Sequence, residues 1–163
     1  MRSHVASFCL TLGLLQGCFL VNGGASSSLE GRYRVEAPVG WVSVNPGGAD
    51  YSWWNSDSGA TIYTDSNCEH HFEDSPLIRL VEAQIVALDD VELLNSENRT
   101  ILGRAGLSTL HHGSIDGVRV SVSTTVVKRN GCVYDFVMVG PIGQDASLSE
   151  SYASLVASFE AQD

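Results

Sequence analysis

The stretch Val118 to Val139, VRVSVSTTVVKRNGCVYDFVMV, decides the fold. Asn130-Gly131 is the dipeptide of a two-residue type I′ turn, whose two central positions need positive φ, and it lies between two β-rich runs. The stretch therefore reads as a hairpin. In its first arm Val118, Val120, Val122, Thr124 and Val126 share one side, and Arg119, Ser121, Ser123 and Thr125 share the other. That arm has one apolar face. In its second arm Val133, Val137 and Val139 lie with Asp135 on one side, while Cys132, Tyr134, Phe136 and Met138 lie on the other. A strand apolar on both faces is buried above and below, so the chain must supply two covering layers.

Upstream, short strands are expected at Tyr33 to Glu36, Gly40 to Val44, Tyr51 to Trp54 and Ala60 to Tyr63, joined as a four-stranded meander by turn clusters such as Asn45-Pro46-Gly47-Gly48. Trp41, Tyr51, Trp53 and Trp54 read as the bulky part of a β core in preference to a sugar-stacking platform. The first covering layer is a helix from Pro76 to Leu88, with Ser75 as N-cap and Leu77, Leu80, Val81, Ile85 and Leu88 on one stripe. Asp89 to Asn98 is ambiguous, with a short strand at Val91 to Leu94. A further strand is centred on Ala105 to Leu110 and ends at His111-His112. The second layer is a helix running from Leu148 to Phe159, opened by the capping box Ser147-x-x-Glu150.

The chain has 163 residues, 44% of them hydrophobic and 17% charged, which suits one globular domain. Its net charge is −10, and Lys128 is its single lysine. Such a surface opposes phosphate backbones and anionic headgroups, so a nucleic-acid partner is not expected. At the N-terminus Arg2 precedes an apolar run, Val5 to Leu15, of signal-peptide length. Leu15-Gln16-Gly17-Cys18 resembles the lipobox of bacterial lipoprotein precursors, although Gln16 departs from the usual small residue. That resemblance implies a signal peptide over 1–17 and a mature N-terminus at Cys18 carrying diacylglycerol and an amide-linked acyl chain such as palmitate. Several acyl chains anchor stably where one does not. Residues 18–30 then form the lipidated N-terminus and a flexible tether, and 31–163 the single domain. The alternatives are cleavage after Ala25, which yields a soluble exported protein, and an uncleaved anchor helix from Val5 to Val21.

Within the domain only Cys68 and Cys132 remain. An exported pair invites a disulfide, with two separate small buried hydrophobes as the alternative. His70, His71, His111 and His112, with Cys68, Glu69, Glu73 and Asp74 near the first pair, are weak candidates for binding Zn²⁺ or Cu²⁺ in a soluble periplasmic protein. Adjacent residues of an extended chain point apart, so each His pair offers at most one ligand to a site, and no metal or other cofactor is expected. Asp135 reads as a structural anchor needing a hydrogen bond if buried. No catalytic residue is identified: G-x-S-x-G, H-E-x-x-H, Walker and dinucleotide fingerprints are all missing.

Ala37-Pro38, Gly40-Trp41, Ala60-Thr61-Ile62, Cys68, Ser75-Pro76-Leu77, Asp116-Gly117 and Gly131-Cys132-Val133-Tyr134-Asp135, followed by a final helix, resemble a deltaproteobacterial lipoprotein family with a PsbP-like fold. The resemblance implies an α+β protein, an α/β/α sandwich whose largely antiparallel sheet of about six to seven strands carries a helix on each face. It also implies an accessory role and transfers no catalytic residue. The expectation is a non-catalytic envelope lipoprotein, held to the outer membrane in preference to the inner by its lipid anchor. Its domain would face the periplasm or cell surface and bind an envelope protein partner.

Overall fold

The computed structural model describes residues 33–68 and 74–162. The hairpin at Asn130-Gly131 is the last of three consecutive ones, formed by β5 (Asp89–Ile101), β6 (Arg104–Ile115), β7 (Val118–Arg129) and β8 (Cys132–Pro141). Each turn has two residues with positive φ: Leu102 (47°) and Gly103 (74°), Asp116 (50°) and Gly117 (79°), Asn130 (52°) and Gly131 (75°). This is the I′ pattern, whose twist matches that of the flanking strands. The residues on either side pair directly, Ile101 with Arg104, Ile115 with Val118 and Arg129 with Cys132. The ambiguous acidic segment is thus a full strand of 13 residues. Gly113 to Ile115, whose composition suggests a turn, belongs to β6.

Before these come β1 (Tyr33–Arg34), β2 (Val42–Ser43), β3 (Tyr51–Trp54), β4 (Thr61–Asn67) and α1 (Leu77–Gln84); after them come α2 (Asp145–Ala157) and β9 (Glu160–Ala161). The main sheet is antiparallel with seven strands in the order β2-β3-β4-β8-β7-β6-β5. β8 therefore sits near its middle, as its two apolar faces require. The expected four-stranded meander is corrected at its start: β1 leaves the main sheet and pairs with β9. Tyr33 explains this, because its fully buried ring packs among Tyr51, Tyr134 and Phe159 and its hydroxyl bonds Thr64 Oγ1 at 2.8 Å.

Two separate apolar clusters form the core. Leu80 and Val81 of α1 pack with Leu107, Val126 and Val133, whereas Leu148, Tyr152 and Leu155 of α2 pack with Val127, Cys132, Tyr134, Phe136 and Met138. These two sets alternate along β7 and β8, so the sheet has an α1 side and an α2 side. The closest approach is at Gly140, where a Cβ would lie 2.7 Å from Leu148 Cδ1 and 3.2 Å from the Ala60 Cβ. Trp41 and Trp53 are buried in the α2-side cluster and Tyr51 packs against it, while Trp54 is left 42% exposed.

Both helix starts differ from expectation. α1 has Pro76 as its cap, with φ −59° and ψ 145°, and no side chain caps it, so Ser75 is not the N-cap. It ends at Gln84, short of Leu88. Ile85 leaves helical geometry so that Leu88 can lie over Gly113, where a Cβ would meet the Leu88 Cβ at 3.2 Å and the Asp89 carbonyl oxygen at 3.0 Å. α2 begins at Asp145, and Ser147 Oγ donates to the Gln144 carbonyl oxygen, so Ser147 and Glu150 form no capping box. Cys68 and Cys132 are joined by a disulfide. Asn67 pairs with Val133, and the bridged cysteines stand one step further along the same two strands.

Candidate binding groove

α2 lies along β8, with Tyr152 reaching Thr125 of β7, and leaves the α2 side of β5 and β6 open. An open groove of about 670 Å³ results. Its floor is Ser108 and Leu110 of β6 with Ser123 and Thr125 of β7, and its outer rim is Asn95, Glu97 and Arg99 of β5. The wall is the flank of α2 that carries Ser149, Tyr152, Ala153 and Val156. Period-2 alternation explains the set: of the β6 and β7 residues that pair across this side, Ser108, Ser123 and Thr125 are small and hydroxylated and Leu110 is apolar, while their neighbours Leu107 and Val126 face α1.

Tyr152 anchors the wall. Its buried hydroxyl donates toward the Phe136 carbonyl oxygen and Thr125 Oγ1, 2.9 Å from each, and Thr125 continues to Ser108 Oγ at 2.8 Å. Burial pushes the phenol well above its ordinary range, so it stays a neutral donor. Arg99 and Glu97 form an ion pair at 3.1 Å on the rim, with both side chains about half exposed. The groove thus offers hydroxyls on its floor, apolar methyl groups on its wall and a charged pair at its edge, which suits a polar-apolar ligand or polypeptide segment. It was missed from sequence because its residues come from four elements spread from Asn95 to Phe159.

The sequence-derived sites fall elsewhere. Cys18, His70 and His71 lie outside the described residues. His111 and His112 point to opposite sides of β6 and cannot share one ion. His111 pairs with Val122, is buried, and is pushed down in pKa by that burial, which keeps it neutral. His112 lies on the α2 side, with Nε2 3.3 Å from Asp145 Oδ2 at the start of α2. Among the described residues no three potential metal ligands come together.

Asp135 has the hydrogen bond expected of a structural anchor, since Gln84 Nε2 of α1 donates to its Oδ2 at 2.8 Å. Its cross-strand neighbour is Asp65, a like charge that sequence spacing could not reveal. Burial first, and then Asp65, push the Asp135 carboxyl up to about 7. Burial likewise raises Asp65, against a Ser66 backbone hydrogen bond that lowers it. Tyr63 on β4 is raised by burial and then by the Asp135 charge. The pair therefore holds a proton near neutrality on the α1 side, away from the groove.

No protein-family model matches the sequence, and no curated protein matches it. Solved structures do match the fold. LpqN of Mycobacterium tuberculosis, described as involved in cell envelope biogenesis, is 11% identical with a TM-score of 0.58, over 80% of this chain and 83% of that one. The cyanobacterial PsbP protein CyanoP from Synechocystis is 14% identical with a TM-score of 0.53, over 80% of this chain and 87% of that one. A Bacteroides thetaiotaomicron protein is 12% identical with a TM-score of 0.58, over 81% of this chain but 46% of that one. At these identities the likeness is one of architecture, and the chain is a mostly antiparallel sheet with two helices in a PsbP-like fold.

Proposed function

We propose that this chain is a non-catalytic accessory domain of a bacterial cell envelope. It is lipid-anchored through Cys18 and binds an envelope protein through the groove between α2 and β5 to β7. In this reading the domain is an α/β/α sandwich of the deltaproteobacterial lipoprotein type, with α1 and α2 covering opposite faces. The observation that carries it is the groove: a concave surface of about 670 Å³ with hydroxyl floor, methyl wall and charged rim, built on rigid strands. Supporting it are the lipobox-like Leu15-Gln16-Gly17-Cys18 and the likeness to LpqN, whose description places that protein in envelope biogenesis. The net charge of −10 disfavours nucleic acid and anionic headgroups as partners. Two measurements test the reading. Membrane fractionation of the full chain against Cys18→Ala should move the protein from the membrane to the soluble fraction. Pull-down from detergent-solubilised envelope should capture a reproducible protein that Ala153→Arg, which fills the groove wall, releases. Capture unaffected by Ala153→Arg refutes the groove, and unchanged fractionation of Cys18→Ala refutes the anchor.

A further inference from the structure

β5 is the last strand of the main sheet, and among the described residues nothing lies beyond it. Free edges are usually blunted by bulges, proline, charge or a covering loop. The irregularities of the β5–β6 ladder are confined to its first half, between Asp89 and Asn95. From Asn95 to Ile101 the pairing runs one to one, with no proline and, among the described residues, no cover, and every residue before Ile101 is exposed.

The hydrogen-bond phase of this segment follows from its turn. Ile101 and Arg104 flank two turn residues and so exchange both their bonds; the bonded pairs recur at Arg99 and Glu97. The N–H and C=O groups of Ser96, Asn98 and Thr100 therefore point outward, away from β6.

We infer that this edge pairs with the same edge of a second copy of the chain, antiparallel, about a two-fold axis through Asn98. In that register Asn98 exchanges both hydrogen bonds with Asn98 of the second copy, and Ser96 does so with Thr100, which is the phase the outward groups require. The charges select the axis. Glu97 and Arg99 stand on the same side of β5 as an in-chain ion pair at 3.1 Å. With the axis on Asn98, Glu97 faces Arg99 of the second copy and Arg99 faces its Glu97, giving four alternating charges. An axis on Glu97 sets two glutamates face to face, and one on Arg99 sets two arginines. Directly opposed like charges destabilise a pair and opposite ones stabilise it. The same register brings exposed Leu94 beside exposed Leu102 of the second copy, each 44% accessible in the single chain. A self-pairing of this kind is isologous and closes at two copies.

The test uses the full chain purified in detergent, with wild type as background. Asn98→Cys should cross-link to a dimer under mild oxidation, because a bonded cross-strand pair has Cα atoms about 5.5 Å apart, within disulfide reach. Thr100→Cys alone should not, since its two copies would stand about 13 Å apart along the ladder. A mixture of Ser96→Cys and Thr100→Cys should cross-link to each other. Glu97→Arg should weaken the dimer about tenfold in sedimentation equilibrium, and Glu97→Arg with Arg99→Glu should restore it. A monomer at all concentrations with an unchanged circular dichroism spectrum overturns the inference. So does cross-linking of Thr100→Cys as efficient as that of Asn98→Cys, or a double swap that fails to rescue.

Discussion

Replacing Asp135 by asparagine should stabilise this protein by an amount that grows as pH rises from about 4 to 7 and is full above that window. The Asp135 carboxyl titrates near 7 in the folded chain against an ordinary value of 3.8, with burial the first cause and Asp65 the second. Between about pH 4 and pH 7 the folded state then holds more proton than the unfolded state. Stability contributed by this group accordingly falls as pH rises through that window, and the loss is complete above it. Three pKa units correspond to about 4 kcal/mol. The site is partly open to water and Gln84 Nε2 already bonds Oδ2 at 2.8 Å, so the recoverable part is about 2–4 kcal/mol. The amide of the Asp135→Asn variant keeps an oxygen for Gln84 and carries no charge toward Asp65. Urea denaturation of wild type and Asp135→Asn, disulfide intact, at pH 4.5 and pH 8 measures this. The variant should gain about 2–4 kcal/mol at pH 8 and differ by less than about 1 kcal/mol at pH 4.5. Equal gains at both pH values, or destabilisation at pH 8, would falsify the reasoning.

Three further outcomes follow from the packing. Reducing the Cys68–Cys132 bridge, which spans a separation of 64 residues, should cost about 4 kcal/mol on the chain-entropy account, read as a lower urea midpoint with reductant; an unchanged midpoint rejects that account. Tyr152→Phe should cost about 0.5–1.5 kcal/mol by removing the buried donor shared by the Phe136 carbonyl oxygen and Thr125 Oγ1, each of which keeps one other hydrogen bond. A chemical-denaturation difference near zero would mean that water replaces the hydroxyl. Leu102→Asn should stabilise by about 0.5–1 kcal/mol, because asparagine tolerates the φ of 47° that leucine resists; a lower melting temperature would show that Leu102 contributes packing of greater value.

Much of the architecture is legible locally. Asn130-Gly131 sets the central hairpin, since the turn conformation depends only on the two residues that adopt positive φ, and the two-faced pattern of β8 demands a layer on each side. The helix stripes that meet this demand repeat at helical spacing. Helix ends are less legible: Ile85 to Leu88 continue the apolar stripe of α1, yet the chain leaves the helix there to seat Leu88 over Gly113, a long-range contact. Leu102-Gly103 hid a third hairpin, because leucine rarely occupies a positive-φ position and the strand it closes carries little apolar alternation.

What the sequence determined by itself is therefore the local grammar: the turns, the periodicities, the acidic balance, and a cysteine pair able to bridge. Tertiary structure decided the rest. It removed β1 from the meander by burying Tyr33, set Asp65 opposite Asp135, and assembled the groove from β5, β6, β7 and α2. Each of these depends on which strands become neighbours and in what register. Register is a cooperative property of the whole sheet, since a one-residue slip would exchange its two faces.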